Sequence, residues 1–339
     1  MKQQKIMEQQ TPITLDERIN QDLAELYRIL HTPAQLKDIK KKVPGISAAV
    51  KLSEKLYSGD NKHKDDDAYE LSTLGLPGYF TGNRDAKTVM VMLNPGISAI
   101  ENDNPLKTMK SIKDLGIDFD KGEDKFIDSY KEKYSKFGEH ESYKVDAFDL
   151  KQAVFLSAWE NTGIDPTDGF PQKLIDNSGK HNNAAVKAEI KSLKEKATRK
   201  VLTQKLQLEL IPYASRKFDT DNANLEVLMP YLEILLHEIF NADRKYIIFC
   251  SNFFERLFKA YSKKKNKCFE IVIDKKNPAS ESESDDVHCT LVKITFNGQT
   301  KPAIIAHTFS NQSLTNAYDK MRKYGLKCLE YLDKYKQNS

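Results

Sequence analysis

The sequence predicts an α/β protein, a three-layer α/β/α sandwich around a mostly parallel four-strand sheet. Two observations carry this prediction. Four short apolar runs have the length and composition of strands that are buried on both faces, at 88–93, 206–211, 245–250 and 302–307. Segments with helical periodicity lie between these runs and after the last one, and such alternation is typical of a parallel sheet covered by helices.

The region before the first run is predicted to be helical, because apolar side chains recur at helical spacing in 15–30 and 46–57. A polar, charged stretch follows at 58–70. We place a boundary there, with residues 1–75 as an N-terminal helical region and linker and residues 76–339 as the main domain.

The remaining elements follow in order along the main domain. Two helices are predicted between the first and second runs, at 148–163 and 184–204, and they make about 100–200 a helical insertion. Three more helices are predicted after the second run, at 222–242, 252–261 and 313–335. An added antiparallel pair is predicted at 268–273 and 287–296, joined by the acidic stretch 280–286.

Composition excludes several classes of protein. The mean hydropathy is -0.61 and no run approaches the ~18 apolar residues of a transmembrane helix, so no membrane partner is expected. The first ten residues lack the apolar core of a secretory signal, which predicts a cytoplasmic protein, and we expect a monomer. A net charge of +4 with only eight arginines permits nucleic acid as a partner without indicating it.

No metal or cofactor is predicted. The four cysteines, Cys250, Cys268, Cys289 and Cys328, match no zinc or iron–sulfur spacing, and we expect them to be buried free thiols. The chain also lacks a Walker loop and the glycine spacing of a dinucleotide fingerprint.

Candidate site residues are sought at the carboxyl ends of the strands, where open α/β sheets bind their ligands. The first strand leads into Asn94–Ser98 and the last into His307–Ser313. The second strand ends in a basic and aromatic cluster at Tyr213–Lys217, which could bind phosphate or stack on a base. The third strand leads into Ser251 and Asn252.

Residues 82–98 resemble the first motif of the uracil-DNA glycosylase superfamily, most closely its mismatch-specific branch, where a strand leads into Gly-Ile-Asn-Pro-Gly-Leu-Ser. Asn94, Pro95, Gly96 and Ser98 are identical to that motif, while Leu93 and Ile97 exchange Leu and Ile, and Met92 replaces the leading Gly.

The second signature of the superfamily, His-Pro-Ser or Asn-Pro-Ser, follows the last strand. Here the His aligns at His307, but the Pro is missing and Ser310 lies one position late. In order of elements the resemblance covers about 82–335, and it implies a divergent member of the superfamily.

The resemblance implies a role for each matching residue. Asn94 would hold the attacking water, and His307 would stabilise the departing base, an effect of the oxyanion-hole type. Pro95 and Gly96 would shape a tight turn against the flipped nucleotide, with Ile97 and Ser98 beside it. The remaining predicted contacts to substrate are Tyr213, Arg216, Ser310, Asn311 and Ser313.

Structural interpretations remain open for the same residues. Asn-Pro-Gly forms turns on its own, a histidine at a strand end is often only hydrogen-bonded, and Ser310 and Ser313 can simply cap the last helix. The pattern favours a surface turn at Tyr213–Lys217 over contact with phosphate or a base, and a core position for Trp159 over a base-stacking role.

The leading hypothesis is a monofunctional DNA glycosylase without a cofactor, which hydrolyses the N-glycosidic bond of a modified or mispaired base flipped out of double-stranded DNA. One alternative is an inactive nucleic-acid-binding or interaction module on the same fold. A weaker alternative is a hydrolase or transferase that acts on free nucleosides or nucleotides.

Overall fold

A mixed sheet of seven strands forms the centre of the computed structural model, and nine α-helices are found among the residues that it describes. These residues are 13–32, 44–58, 63, 66–96, 104–139, 145, 147–157, 159, 184–264, 268–275, 289–306 and 318–337. None of the described helices has both the length and the apolar composition needed to cross a bilayer.

The strands are β1 (Phe80–Gly82), β2 (Thr88–Met92), β3 (Lys205–Glu209), β4 (Tyr246–Phe249), β5 (Phe269–Lys275), β6 (Cys289–Phe296) and β7 (Gln299–Ala306). The helices are α1 (Leu15–Leu30), α2 (Ser47–Leu56), α3 (Pro105–Asp114), α4 (Glu123–Ser135), α5 (Ala147–Leu156), α6 (Ala184–Leu202), α7 (Leu225–Phe240), α8 (Phe253–Lys264) and α9 (Tyr318–Gln337).

The order across the sheet is β1-β3-β2-β4-β7-β6-β5. The four predicted runs are the central strands β3, β2, β4 and β7, which pair in parallel. Strands β5 and β6 form the predicted antiparallel pair, with β6 also antiparallel to β7. The predicted α/β class is confirmed, but a sheet of four strands is wrong, because the antiparallel strands join the same sheet.

Strand β1 was not predicted from the sequence pattern, and helices α3 and α4 were not predicted individually within the helical insertion. Strand β1 has only three residues and pairs antiparallel with β3 at one edge, so it is too short for a period of two to be recognised. The predicted helix at 148–163 also ends early, since α5 stops at Leu156. The acidic stretch 280–286 lies outside the described residues.

Alternation along β2 divides the interior into two cores. Val89 and Val91 belong to one hydrophobic cluster, while Met90 and Met92 belong to another. The first cluster includes side chains of α1, α2, α7 and α8, and the second includes side chains of α5 and α9. Helices therefore cover both faces of the parallel strands.

The N-terminal helices pack into the first of these cores. Helix α1 begins with a capping box in which Thr14 and Glu17 exchange hydrogen bonds. Its apolar stripe, including Leu23 and Leu26, is buried in the cluster that also contains Leu206 of β3. Burial of this stripe, more than helix propensity, stabilises α1.

On the second face, α5 and α9 approach closely enough to require a glycine. A Cβ atom at Gly325 would lie 2.1 Å from the carbonyl oxygen of Phe155. Trp159 is fully buried nearby, which confirms its predicted core position. All four cysteines are buried free thiols, as predicted.

A buried polar cluster joins α1 to the loops around β3. Asp22 is 2% exposed, and its Oδ2 accepts hydrogen bonds from the hydroxyl of Tyr79 at 2.5 Å and from that of Tyr213. Its Oδ1 lies 3.4 Å from Nε of Arg18, whose Nη2 donates to the hydroxyls of Tyr213 and Tyr231. Burial raises the pKa of Asp22, while Arg18 and the two tyrosine hydroxyls oppose that rise.

We predict that Asp22→Asn destabilises the protein by about 3–5 kcal/mol, because it leaves the Arg18 guanidinium buried without its anionic partner. Asp16→Asn on the same helix is the matched control. Asp16 pairs with Arg84 and Lys131 but its side chain is 46% exposed, so about 1 kcal/mol or less is expected. Urea unfolding measures both variants, and equal losses would contradict the role given to Asp22.

Candidate functional site

Two of the predicted strand exits meet at the carboxyl ends of β2 and β3. Backbone pairing continues beyond both strands, since the amide of Leu210 donates to the carbonyl of Met92 and that of Ile211 to the carbonyl of Leu93. The Asn-Pro-Gly turn at 94–96 therefore lies beside the β3 exit at 212–217. These two exits form the described part of the candidate site.

The orientation of the Asn94 amide is fixed by a chain of hydrogen bonds. Asn94 is half-buried, and its Nδ2 donates to Oγ of Ser215 at 2.6 Å. The single hydroxyl proton of Ser215 is donated to the carbonyl of Lys217 at 2.9 Å, so Ser215 must accept from Asn94. The amide nitrogen is thus turned toward Ser215, and Oδ1 accepts no hydrogen bond from any described residue.

Backbone hydrogen bonds hold the two exits together. The amide of Ser215 donates to the carbonyl of Pro95 at 3.2 Å, and that of Gly78 donates to the carbonyl of Pro212 at 2.7 Å. Gly78 also makes space for the turn, because a Cβ atom there would lie 3.0 Å from Cγ of Pro95. The segment before β1 therefore contacts both exits and stabilises their arrangement, a role that the sequence did not indicate.

Tyr213 does not have the role that the sequence predicted for it. Its side chain is 1% exposed, and its hydroxyl lies in the cluster around Asp22. Neither face of the ring is available for a base to stack on. The prediction of direct substrate contact by Tyr213 is wrong, because its aromatic ring is needed to fill the core beneath the loop.

The two basic residues after Ser215 do reach the surface. Arg216 and Lys217 are both exposed. The ammonium group of Lys217 lies 5.4 Å from the centre of the Tyr69 ring and 3.6 Å from a carboxylate oxygen of Asp66. Two basic side chains therefore lie at the surface close to Asn94, where a phosphate backbone would be attracted.

The rest of the predicted site lies outside the described residues. This applies to Ile97, Ser98, His307, Ser310, Asn311 and Ser313. The structure therefore gives no distance between Asn94 and His307, and their pairing stays a prediction. Gly96 is described and exposed at the end of the turn.

A buried polar row on β3 was missed by sequence reasoning. Lys205, Gln207 and Glu209 alternate with leucines and face α5, where Nζ of Lys205 donates to Oε1 of Gln152 at 2.6 Å and to Oε1 of Gln207 at 2.8 Å. Gln207 then donates to Oε1 of Glu209 at 2.7 Å. The alternation of polar residues and leucines in KLQLE could have indicated this row. A strand whose two faces both contact apolar layers would not show an alternation of polar and apolar residues.

Glu209 ends this row next to the candidate site. It is the register partner of Met92, which lies two residues before Asn94, and its buried Oε2 has no hydrogen-bond partner among the described residues. Burial raises the pKa of Glu209 to about 8, and burial lowers the pKa of Lys205 to about 8. Both groups are thus shifted toward their neutral forms by the low dielectric under α5.

No group of three or more His, Cys, Asp or Glu side chains in the described part of the chain is arranged to hold a metal ion. In comparisons with known proteins, no family model, no curated protein and no solved structure matches this chain.

We predict that stability falls as the pH rises from about 4.5 to about 8, because folded Glu209 keeps its proton while the unfolded chain releases it. Glu209→Gln removes this dependence, so the variant gains stability relative to the wild type across the window. Thermal unfolding at several pH values measures the effect. Glu270→Gln at an exposed strand position is the control, and a Glu209→Gln curve parallel to that of the wild type would contradict the prediction.

Proposed function

We propose that the chain is a monofunctional DNA glycosylase, which hydrolyses the N-glycosidic bond of a modified or mispaired base flipped out of duplex DNA. One observation carries the proposal: Ser215 holds the Asn94 amide so that Oδ1 is left to accept a hydrogen bond. A water positioned by this oxygen would attack the anomeric carbon of the sugar.

The strand order supports the same proposal. Along the chain the parallel strands are β2, β3, β4 and β7, and across the sheet they follow the order second, first, third and fourth. With helices on both faces, this order supports a three-layer α/β/α domain. Asn94 then follows the first strand of the parallel set, at the edge where such sheets bind ligands.

The chemistry expected of Asn94 is modest, because an amide orients water but is a poor base. Most of the rate enhancement must then come from stabilising the negative charge on the departing base. A donor in an oxyanion-hole position contributes ~3–4 kcal/mol, and His307 is the residue proposed for it. Arg216 and Lys217 are proposed to contact the DNA backbone beside the flipped nucleotide.

We expect Asn94→Ala to abolish base release while the protein stays folded. Duplex oligonucleotides that each carry one modified or mispaired base are incubated with the protein, and abasic sites are detected by alkaline cleavage. A loss of about 100-fold or more is expected, since the water loses the acceptor that is proposed to position it. Asn20→Ala, at an exposed position on α1, should retain full activity, and circular dichroism verifies the fold of both variants.

Ser215→Ala tests the orientation of the amide separately. It keeps Asn94 but removes the acceptor that fixes Nδ2, so we expect a smaller loss of activity, about tenfold.

Unchanged activity in Asn94→Ala would reject the assignment of Asn94 as the residue that positions the water. Salt-sensitive DNA binding without base release from any substrate would favour an inactive binding module, and turnover of free nucleosides alone would favour a nucleoside hydrolase.

A further inference from the structure

A pocket separate from the candidate site lies between α1, α2 and α7. Its volume is about 460 Å³, which is within the range of small-molecule sites. Arg18 and Asp22 of α1 line it together with Lys51 and Lys55 of α2 and Tyr231 of α7. Ala48, Leu52 and Val227 add an apolar wall.

The anionic side chains that line this pocket are already satisfied within the protein. Asp22 pairs with Arg18 and accepts two tyrosine hydroxyls. Glu25 accepts hydrogen bonds from the backbone amide of Ser47 at 2.9 Å and from its hydroxyl at 2.5 Å, at the start of α2. Asp22 is thus paired with a cation, whereas Glu25 is hydrogen-bonded by neutral groups and keeps its negative charge.

The cationic side chains are not satisfied in the same way. Lys51 and Lys55 are exposed, lie four residues apart on one face of α2, and have no ion-pair partner among the described residues. Arg18 donates from Nη2 to two tyrosine hydroxyls, while its Nε lies 3.4 Å from Asp22 without a hydrogen bond and its Nη1 has no hydrogen bond to any described group. The lining therefore carries three cations against two carboxylates, and Lys51 and Lys55 supply the positive charge that has no ion-pair partner among the described residues.

We propose that this pocket binds a small ligand that carries a phosphate group. Two lysines without an ion-pair partner among the described residues suit the multiple charges of a phosphate group, and Nη1 of the Arg18 guanidinium can donate to a phosphate oxygen. The apolar wall of Leu52 and Val227 would contact the rest of the ligand. This inference does not depend on the proposed glycosylase activity.

The surface next to the pocket favours a small ligand over a nucleic acid. An adjoining groove of about 830 Å³ shares Gln21 and Glu25 with the pocket and carries three further carboxylates, Glu123, Asp124 and Asp128. Its two cations are already paired, Arg28 with Glu123 and Lys131 with Asp16. A polyanion that extended from the pocket along this groove would be repelled.

Isothermal titration calorimetry with inorganic pyrophosphate tests the proposal on the full chain. We expect Lys51→Gln/Lys55→Gln to weaken binding by about tenfold to a hundredfold, because two charge-assisted contacts are lost. The matched control is Lys196→Gln/Lys200→Gln, an exposed pair with the same spacing on α6, for which less than about a twofold change is expected. All four lysines are exposed, so neither variant should unfold.

Three results would overturn the proposal. The first is the absence of pyrophosphate binding by the wild type, and the second is an equal loss in both lysine pairs, which would indicate general surface charge. The third comes from a duplex DNA titration, in which the α2 pair should change the affinity by less than about twofold. If duplex binding falls together with pyrophosphate binding, the pocket serves a nucleic-acid backbone instead of a small ligand.

Discussion

The buried carboxylate of Asp22 is the interaction on which the arrangement of the site depends. It holds the hydroxyls of Tyr79 and Tyr213, and so it joins α1 to the segment before β1 and to the loop after β3. Tyr213 lies two residues before Ser215, the residue that orients the Asn94 amide. A helix outside the α/β alternation therefore determines where the proposed water-binding group lies.

The two faces of β3 differ in polarity, and this difference matters at the edge of the site. Its leucines complete the core beneath α1 and α7, whereas Lys205, Gln207 and Glu209 form a buried polar row under α5. Charged Lys205 and Glu209 side chains in such a row would reduce the stability of the fold, since both are buried away from water. Because burial raises the pKa of Glu209 to about 8, its carboxyl group favours the uncharged form beside β2, the strand that leads into Asn94.

The small net charge conceals a local separation of charges. Arg216 and Lys217 are exposed beside Asn94, and Lys51 and Lys55 line the pocket between α1, α2 and α7. Between that pocket and α4 the surface is acidic. Two separate basic regions, one proposed for DNA and one for a small phosphorylated ligand, are compatible with a net charge of +4 because the 49 acidic residues of the chain offset most of its 53 basic residues.

The sequence alone determined the α/β class, the four parallel strands, the N-terminal helices and the helices α5 to α9, since each depends on local hydrophobic periodicity. It also indicated Asn94 as a candidate site residue, because a strand followed by Asn-Pro-Gly is a local pattern. Only the tertiary structure showed the three-residue β1, the burial of Tyr213 and the contact between Asn94 and Ser215, which lie 121 positions apart. Long-range contacts of this kind leave no periodic trace in the chain, because they depend on which loops the sheet order brings together.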